Sequence, residues 1–224
     1  MKQSILFFAI LCMTGCTAAV PEHRGKLPEN MAIGRIFHEI REYNTKISGS
    51  IEMLNSVRFN FRGRSFTAVG PLRLDEARDA FSMAALNPMG MTLFQIKMKN
   101  GELVSSSMIP ELKKFRQSAD AVAKDVERIY FKRNVNLYKA VLQPDQNGVV
   151  LEKETKGTGR YEYRFGKNPL VLLSKIYYEN GQKIWSADYY DYRKHNGGLF
   201  PMRTFFKQYR HGYTLDIETR RIKK

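Results

Sequence analysis

The strongest constraint on this chain is an apolar/polar alternation of period two that returns along most of its length and is cut by turn dipeptides. Phe94, Ile96 and Met98 interleave with Gln95, Lys97 and Lys99, and Asn100-Gly101 then supplies a pair favoured in two-residue hairpin turns, ahead of Glu102–Ser107. Val57, Phe59 and Phe61 alternate with Arg58, Asn60 and Arg62 in the same way. In the second half, Leu137–Leu142 and Val149–Thr155 flank a loop ending in Asn147-Gly148, and Ile176–Glu179 and Lys183–Ala187 flank Asn180-Gly181. Tyr161, Tyr163 and Phe165, and later Tyr213, Leu215 and Ile217, alternate with polar or charged residues. Each run is a strand with one apolar and one wet face, and their short spacing predicts an antiparallel sheet of about ten strands.

Two stretches change period. Ile33, Ile36, Phe37, Ile40, Tyr43 and Ile47 recur at three- and four-residue steps, with Asn30 placed to cap the helix they predict. Within Ser118–Phe131, Val122, Val126, Ile129 and Tyr130 share a helical face and Asp120 falls in the first turn. A sheet with one apolar face and only two main helices buries that face most simply by curling around them. The expected class is therefore α+β, one domain over 30–224, with a strongly curved antiparallel sheet that forms an incomplete barrel.

The chain starts with a short apolar run. Lys2 precedes Ile5–Cys12, which is too brief for a bilayer span of about 20 residues and suits a removable signal segment. Met13-Thr14-Gly15-Cys16 resembles a bacterial lipobox, which implies cleavage after residue 15 and a lipidated Cys16. Residues 16–29 contain Pro21, Gly25 and Pro28 without apolar periodicity and read as a flexible tether of roughly 20 Å reach. Thr17 stands where inner-membrane lipoproteins carry Asp, so the resemblance implies the periplasmic face of the outer membrane. Both cysteines, Cys12 and Cys16, are used up by this processing, and no disulfide is expected.

The formal charge is +15, or +14 without Lys2, and it favours anionic partners. On a lipoprotein these are lipid phosphates rather than nucleic acid. The basic residues with the best case for such contact are Arg58, Arg62 and Arg64 on neighbouring strand positions, then Arg203, Lys207 and Arg210, with the tail Arg220–Lys224 behind them. They serve equally well as the solvated face of a sheet. No catalytic site, metal site or cofactor is expected. His23, His38, His195 and His211 are scattered, and His38-Glu39-Ile40-Arg41-Glu42 lacks the second histidine of a zinc helix. Gly157-Thr158-Gly159 reads as a hairpin turn rather than a phosphate loop.

With this element order the chain resembles the LolA/LolB-type envelope proteins. Cys16 in its lipobox matches the outer-membrane lipoprotein of the pair, and Leu86–Phe94, with Pro88-Met89-Gly90 between two strands, resembles a segment of that member and of LolB-like lipoproteins. The close of the chain, Trp185–Tyr192, Leu199–Arg203 and Tyr213–Ile217, is similar to their end. The resemblance implies a half-barrel over a hydrophobic cavity, and a monomer that binds an acylated or lipidic cargo, exchanges it with a periplasmic carrier or assembly protein, and performs no covalent chemistry. Met83, Met89, Met91, Met98 and Met108 crowd one region, and flexible thioethers suit a surface that accepts varied apolar chains as well as ordinary core filling. With Phe94, Ile96 and Trp185, the first four of these methionines are the candidate cargo residues. The alternative is a structural or assembly lipoprotein that docks on anionic glycolipid or an acidic protein through its basic face.

Overall fold

The computed structural model describes residues 33–47, 50–110, 118–131, 140–145, 148–155, 157–166, 169–195 and 198–223. The signal segment, Cys16, the tether and the Asn30 cap lie outside them. Helix α1 (Ile33–Ile47) leads into strands β1 (Ser50–Phe61), β2 (Arg64–Asp75), β3 (Ala80–Leu86), β4 (Thr92–Lys99) and β5 (Glu102–Met108). Helix α2 (Ser118–Tyr130) follows. The chain then continues through β6 (Val141–Asp145), β7 (Gly148–Glu154), β8 (Gly159–Gly166), β9 (Val171–Glu179), β10 (Gln182–His195), β11 (Gly198–Gln208) and β12 (Tyr213–Lys223).

The twelve strands among the described residues belong to one antiparallel sheet, ordered β5-β4-β3-β2-β1-β12-β11-β10-β9-β8-β7-β6. The expected count of about ten is therefore too low. Strand β2 escapes the alternation pattern because Gly70 and Pro71 sit in its middle, where such residues ordinarily argue against a central strand. Its ladder with β3 accommodates them. Val69 pairs with Leu86 and Leu72 with Met83, and the interval between is skipped, so the N–H that Pro71 lacks is not needed there. Gly70 is required on steric grounds, since a Cβ at that position would stand 1.7 Å from the Ala84 carbonyl oxygen.

The sheet curls strongly. Strands β3 and β9 are six steps apart in the order, roughly 29 Å across a flat sheet at the usual strand spacing. Yet both reach the same residue: the Phe81 ring of β3 lies 6.2 Å from that of Phe131, and Lys175 of β9 donates to the Phe131 carbonyl at 2.9 Å. Only a trough folded around the end of α2 allows this. β5 and β6 remain unpaired with each other, so the barrel is open.

Helices α1 and α2 are amphipathic and bury their apolar stripes in the trough. Ile36, Ile40 and Tyr43 of α1 are buried; the helix packs on β11, and Tyr43 meets Phe165 edge-on at 5.9 Å. Ala119, Ala123, Val126, Ile129 and Tyr130 of α2 join the same core as the inward residues of the sheet. Among the described residues no helix is long and apolar enough to cross a membrane.

Hairpin turns alternate between the two ends of the sheet. The β1–β2, β3–β4, β7–β8, β9–β10 and β11–β12 connections share one end, here called the rim, as the register of successive pairs requires. Arg62-Gly63 and Asn180-Gly181 at the rim, and Asn100-Gly101 at the far end, each place two successive residues in the left-handed region that a tight hairpin turn needs. Arg62 is thus a turn residue, and the three arginines at 58, 62 and 64 do not share one strand as the alternation suggests: Arg58 lies in β1 and Arg64 opens β2.

Candidate functional site

The inner face of the sheet carries a continuous row of rings. Phe66 of β2 lies 4.9 Å from Phe59 of β1, which stacks at 5.4 Å on Tyr213 of β12. Phe206 of β11 follows at 6.4 Å and Trp185 of β10 at 6.1 Å. Tyr177 of β9 stacks on Trp185 at 6.0 Å, and Tyr161 of β8 meets Tyr177 at 4.9 Å. Seven neighbouring strands each contribute one ring, because period-two alternation brings one residue per strand to the same level of the inner face. The row runs from exposed Phe66 to wholly buried Phe206 and Trp185.

Helix α2 lies over the buried part of this row and is held there by polar groups. Tyr213 donates its hydroxyl to one Asp125 carboxylate oxygen, and Arg128 donates to the other at 2.8 Å. Burial pushes the Asp125 carboxyl above its usual range, against the opposing pull of the Tyr213 hydrogen bond and the Arg128 charge. The Arg128 guanidinium stands 5.9 Å from the Trp185 ring centre. With its amide oriented to suit both neighbours, Gln208 accepts from Arg128 at 3.0 Å and donates to the Ile184 carbonyl. Further along, Tyr130 accepts from Asn55 at 3.2 Å, and Asn55 accepts from Thr219 at 3.0 Å. Tyr189 donates to the Ile129 carbonyl at 2.7 Å, and Lys175 to that of Phe131. The last two satisfy carbonyls at the helix C-terminus, where a cation is also favoured by the dipole.

Asn55, Asp125, Arg128, Lys175 and Gln208 are not among the sequence candidates, although Asp125 carried a signal. It falls three residues after Val122 and four before Ile129, on the apolar stripe of α2, where an acid needs a buried partner.

The seven cargo candidates divide into two groups. Ile96, Met98 and Trp185 are core residues, with Met83 and Phe94 half-buried against the same core. Met89 and Met91 are 82% and 59% exposed at the rim, on the β3–β4 turn. That turn is closely braced: the Asn87 side chain accepts from the Met89 and Met91 N–H groups at 3.0 and 2.9 Å. The Gly90 N–H reaches the Asn87 carbonyl at 2.9 Å.

The six basic candidates divide as well. Arg203 makes a two-pronged bond to Asp216, 3.0 Å on each arm, and Arg210 is paired with Glu179. Arg58, Arg62, Arg64 and Lys207 are exposed, with Arg62 over the Phe61 ring at 4.9 Å and the Lys207 ammonium over Tyr209 at 4.8 Å. Among the described residues no group of three or more His, Cys, Asp or Glu is disposed to hold a metal ion.

An open, curled antiparallel sheet closed over an inner helix is the fold of LolA superfamily proteins. It occurs in one from Nitrosomonas europaea, which is 10% identical, with a TM-score of 0.53 over 83% of this chain and 92% of that one. It also occurs in a domain from Vibrio parahaemolyticus described as an outer membrane lipoprotein-sorting protein, at 12% identity and a TM-score of 0.56 over 83% and 90% of the two chains. A DUF1329 family protein from Desulfovibrio piger shares it at 12% identity and a TM-score of 0.56, over 84% and 92%. The chain itself belongs to the family described as protein of unknown function DUF3261, whose profile matches residues 52–221. No curated protein matches it.

Proposed function

We propose that this protein is a LolB-like lipoprotein of the bacterial outer membrane, processed before Cys16, tethered by residues 16–29 and facing the periplasm. Its half-barrel takes up an acylated or lipidic cargo and assists its transport or insertion, without covalent chemistry. The observation that carries this reading is the aromatic row, which gives the trough an apolar floor open at Phe66 and roofed by α2 toward Trp185. A curved apolar floor of that length suits a flexible hydrocarbon chain, which needs apolar contact along its length and few polar partners. Support also comes from the fold, shared with a protein described as lipoprotein-sorting.

In this reading Met89 and Met91 meet the acyl chain outside the trough, while Met83 and Phe94 line its entry. Ile96, Met98 and Trp185 form the apolar bed beneath. The test is mass spectrometry of the protein taken from membranes under native conditions. A diacyl or triacyl adduct on Cys16 together with a non-covalently held acylated molecule is the expected result. Unmodified Cys16 would overturn the anchor, and protein that emerges free of acyl cargo and fails to quench or shift a fluorescent fatty-acid analogue would overturn the cargo reading.

A further inference from the structure

A guanidinium interrupts the apolar path along the aromatic row. Arg128 of α2 stands 5.9 Å from the Trp185 ring centre and donates from one nitrogen, Nη1, to Asp125 at 2.8 Å and to Gln208 at 3.0 Å. Its Nε and Nη2 have no acceptor among the described residues. An arginine fork carries five N–H groups, and a row of rings offers them no lone pairs. Exposure is unequal within the ion pair: the Arg128 side chain keeps 29% and the Asp125 side chain 7%. A molecule lying along the rings from Phe66 toward Trp185 therefore reaches the cation and not the acid. Lys175, a second cation beside Trp185, is wholly buried, directs its ammonium to the Phe131 carbonyl and faces the C-terminal dipole of α2.

The reachable donors thus come with their charge already matched. Both Asp125 oxygens receive hydrogen bonds, one from Tyr213 and one from Arg128, which is the pattern of a carboxylate, and this carboxylate offsets the guanidinium at contact distance. A second carboxylate or a phosphate on Arg128 would leave an unmatched negative charge in a largely apolar trough, which is costly. A carbonyl oxygen takes the same N–H groups and brings no charge. Resting on the reading that the trough takes an acyl chain, we infer that Arg128 determines which chains it takes: Nε and Nη2 receive the carbonyl oxygen of an ester- or amide-linked acyl group, and the pairing with Asp125 disfavours free fatty acids. Selection is then made on the head of the molecule, inside the trough, by one ion pair whose cation is open and whose acid is closed.

Dodecanoic acid and its methyl ester, each with a fluorophore at the far end of the chain, test this by anisotropy at pH 8 on the full chain carrying Cys16→Ala. The ester is expected to bind about tenfold more tightly than the acid. Adding Asp125→Asn leaves the guanidinium unmatched, and the order of the two ligands is expected to reverse. Adding Arg128→Gln is expected to lower ester affinity about tenfold. Each ratio compares two ligands on one protein, so partial unfolding of a variant lowers both affinities and leaves their order readable; the ratio in the chain without either substitution involves no such risk. Equal binding of acid and ester, tighter binding of the acid, an unchanged order in Asp125→Asn or an unchanged ester affinity in Arg128→Gln would overturn the inference and leave a chain-binding trough in place. Binding of neither ligand would overturn the trough reading and this inference together.

Discussion

Lys175 and Phe131 join the ninth strand to the end of the second helix: a wholly buried ammonium donates at 2.9 Å to the first carbonyl beyond α2. The same lysine lies 5.6 Å from the Trp185 ring centre, so it also touches the aromatic row. It both caps a helix and fills the trough.

Removing the whole side chain loses packing and a charge-assisted bond together. Lys175→Ala is expected to cost about 3 kcal/mol in urea unfolding. Lys175→Met keeps the stem and abolishes the cost of burying a charge, which offsets part of the orphaned carbonyl, so its loss is expected to stay under about 1.5 kcal/mol. An alanine variant no less stable than the methionine one would show that the bond, not the packing, matters there.

Glycine positions test the sheet. Gly70→Ala drives a methyl into the Ala84 carbonyl and forces β2 from β3, with an expected loss of at least about 3 kcal/mol. Gly63→Ala meets no atom within 4 Å and pays only for its positive φ, about 1 kcal/mol. Thermal melts of the two variants should separate clearly; equal melting temperatures would contradict the close β2–β3 approach.

How much of this was legible in the sequence follows from where information is local. Alternation and Asn-Gly turns disclose the β4–β5 and β9–β10 hairpins, and three- and four-residue spacing discloses both helices. The β1–β12 pairing that closes the middle of the sheet joins residues some 160 positions apart, such as Arg58 and Asp216, and no periodicity carries it. The aromatic row depends on that register, so its members look like separate strand residues along the chain. Asp191 of β10, at φ 54°, departs from extended backbone although the register with β11 is the same on either side of it. The exposure of Met89 and Met91 against the burial of Met98 is likewise set by the length of a turn, which composition does not contain.

Asp188, on the outer face of β10, gives a pH dependence with a definite sign. Burial raises its carboxyl to about 6, opposed by the charges of Lys183 and Arg164. The folded state therefore binds the proton more tightly than the unfolded one, and stability falls as pH rises from about 4 through 6. Asp188→Asn is expected to gain about 2 kcal/mol at pH 7.5 and to lose that advantage by pH 4. Denaturant midpoints of wild type and variant across this range would reveal it, and parallel curves would refute it.

The methionines make the last test, because one residue type is expected to behave in two ways. Met98 is 5% exposed and its replacement by Ala opens a hole in the core between sheet and α2, at an expected cost of about 2 to 4 kcal/mol. Met89 touches mainly solvent, and Met89→Ser is expected to change stability by less than about 0.5 kcal/mol. A folded, undiminished Met89→Ser protein is therefore free to report on contact with cargo alone. If it bound a fluorescent fatty-acid analogue as tightly as wild type, the cargo role could not rest on that side chain.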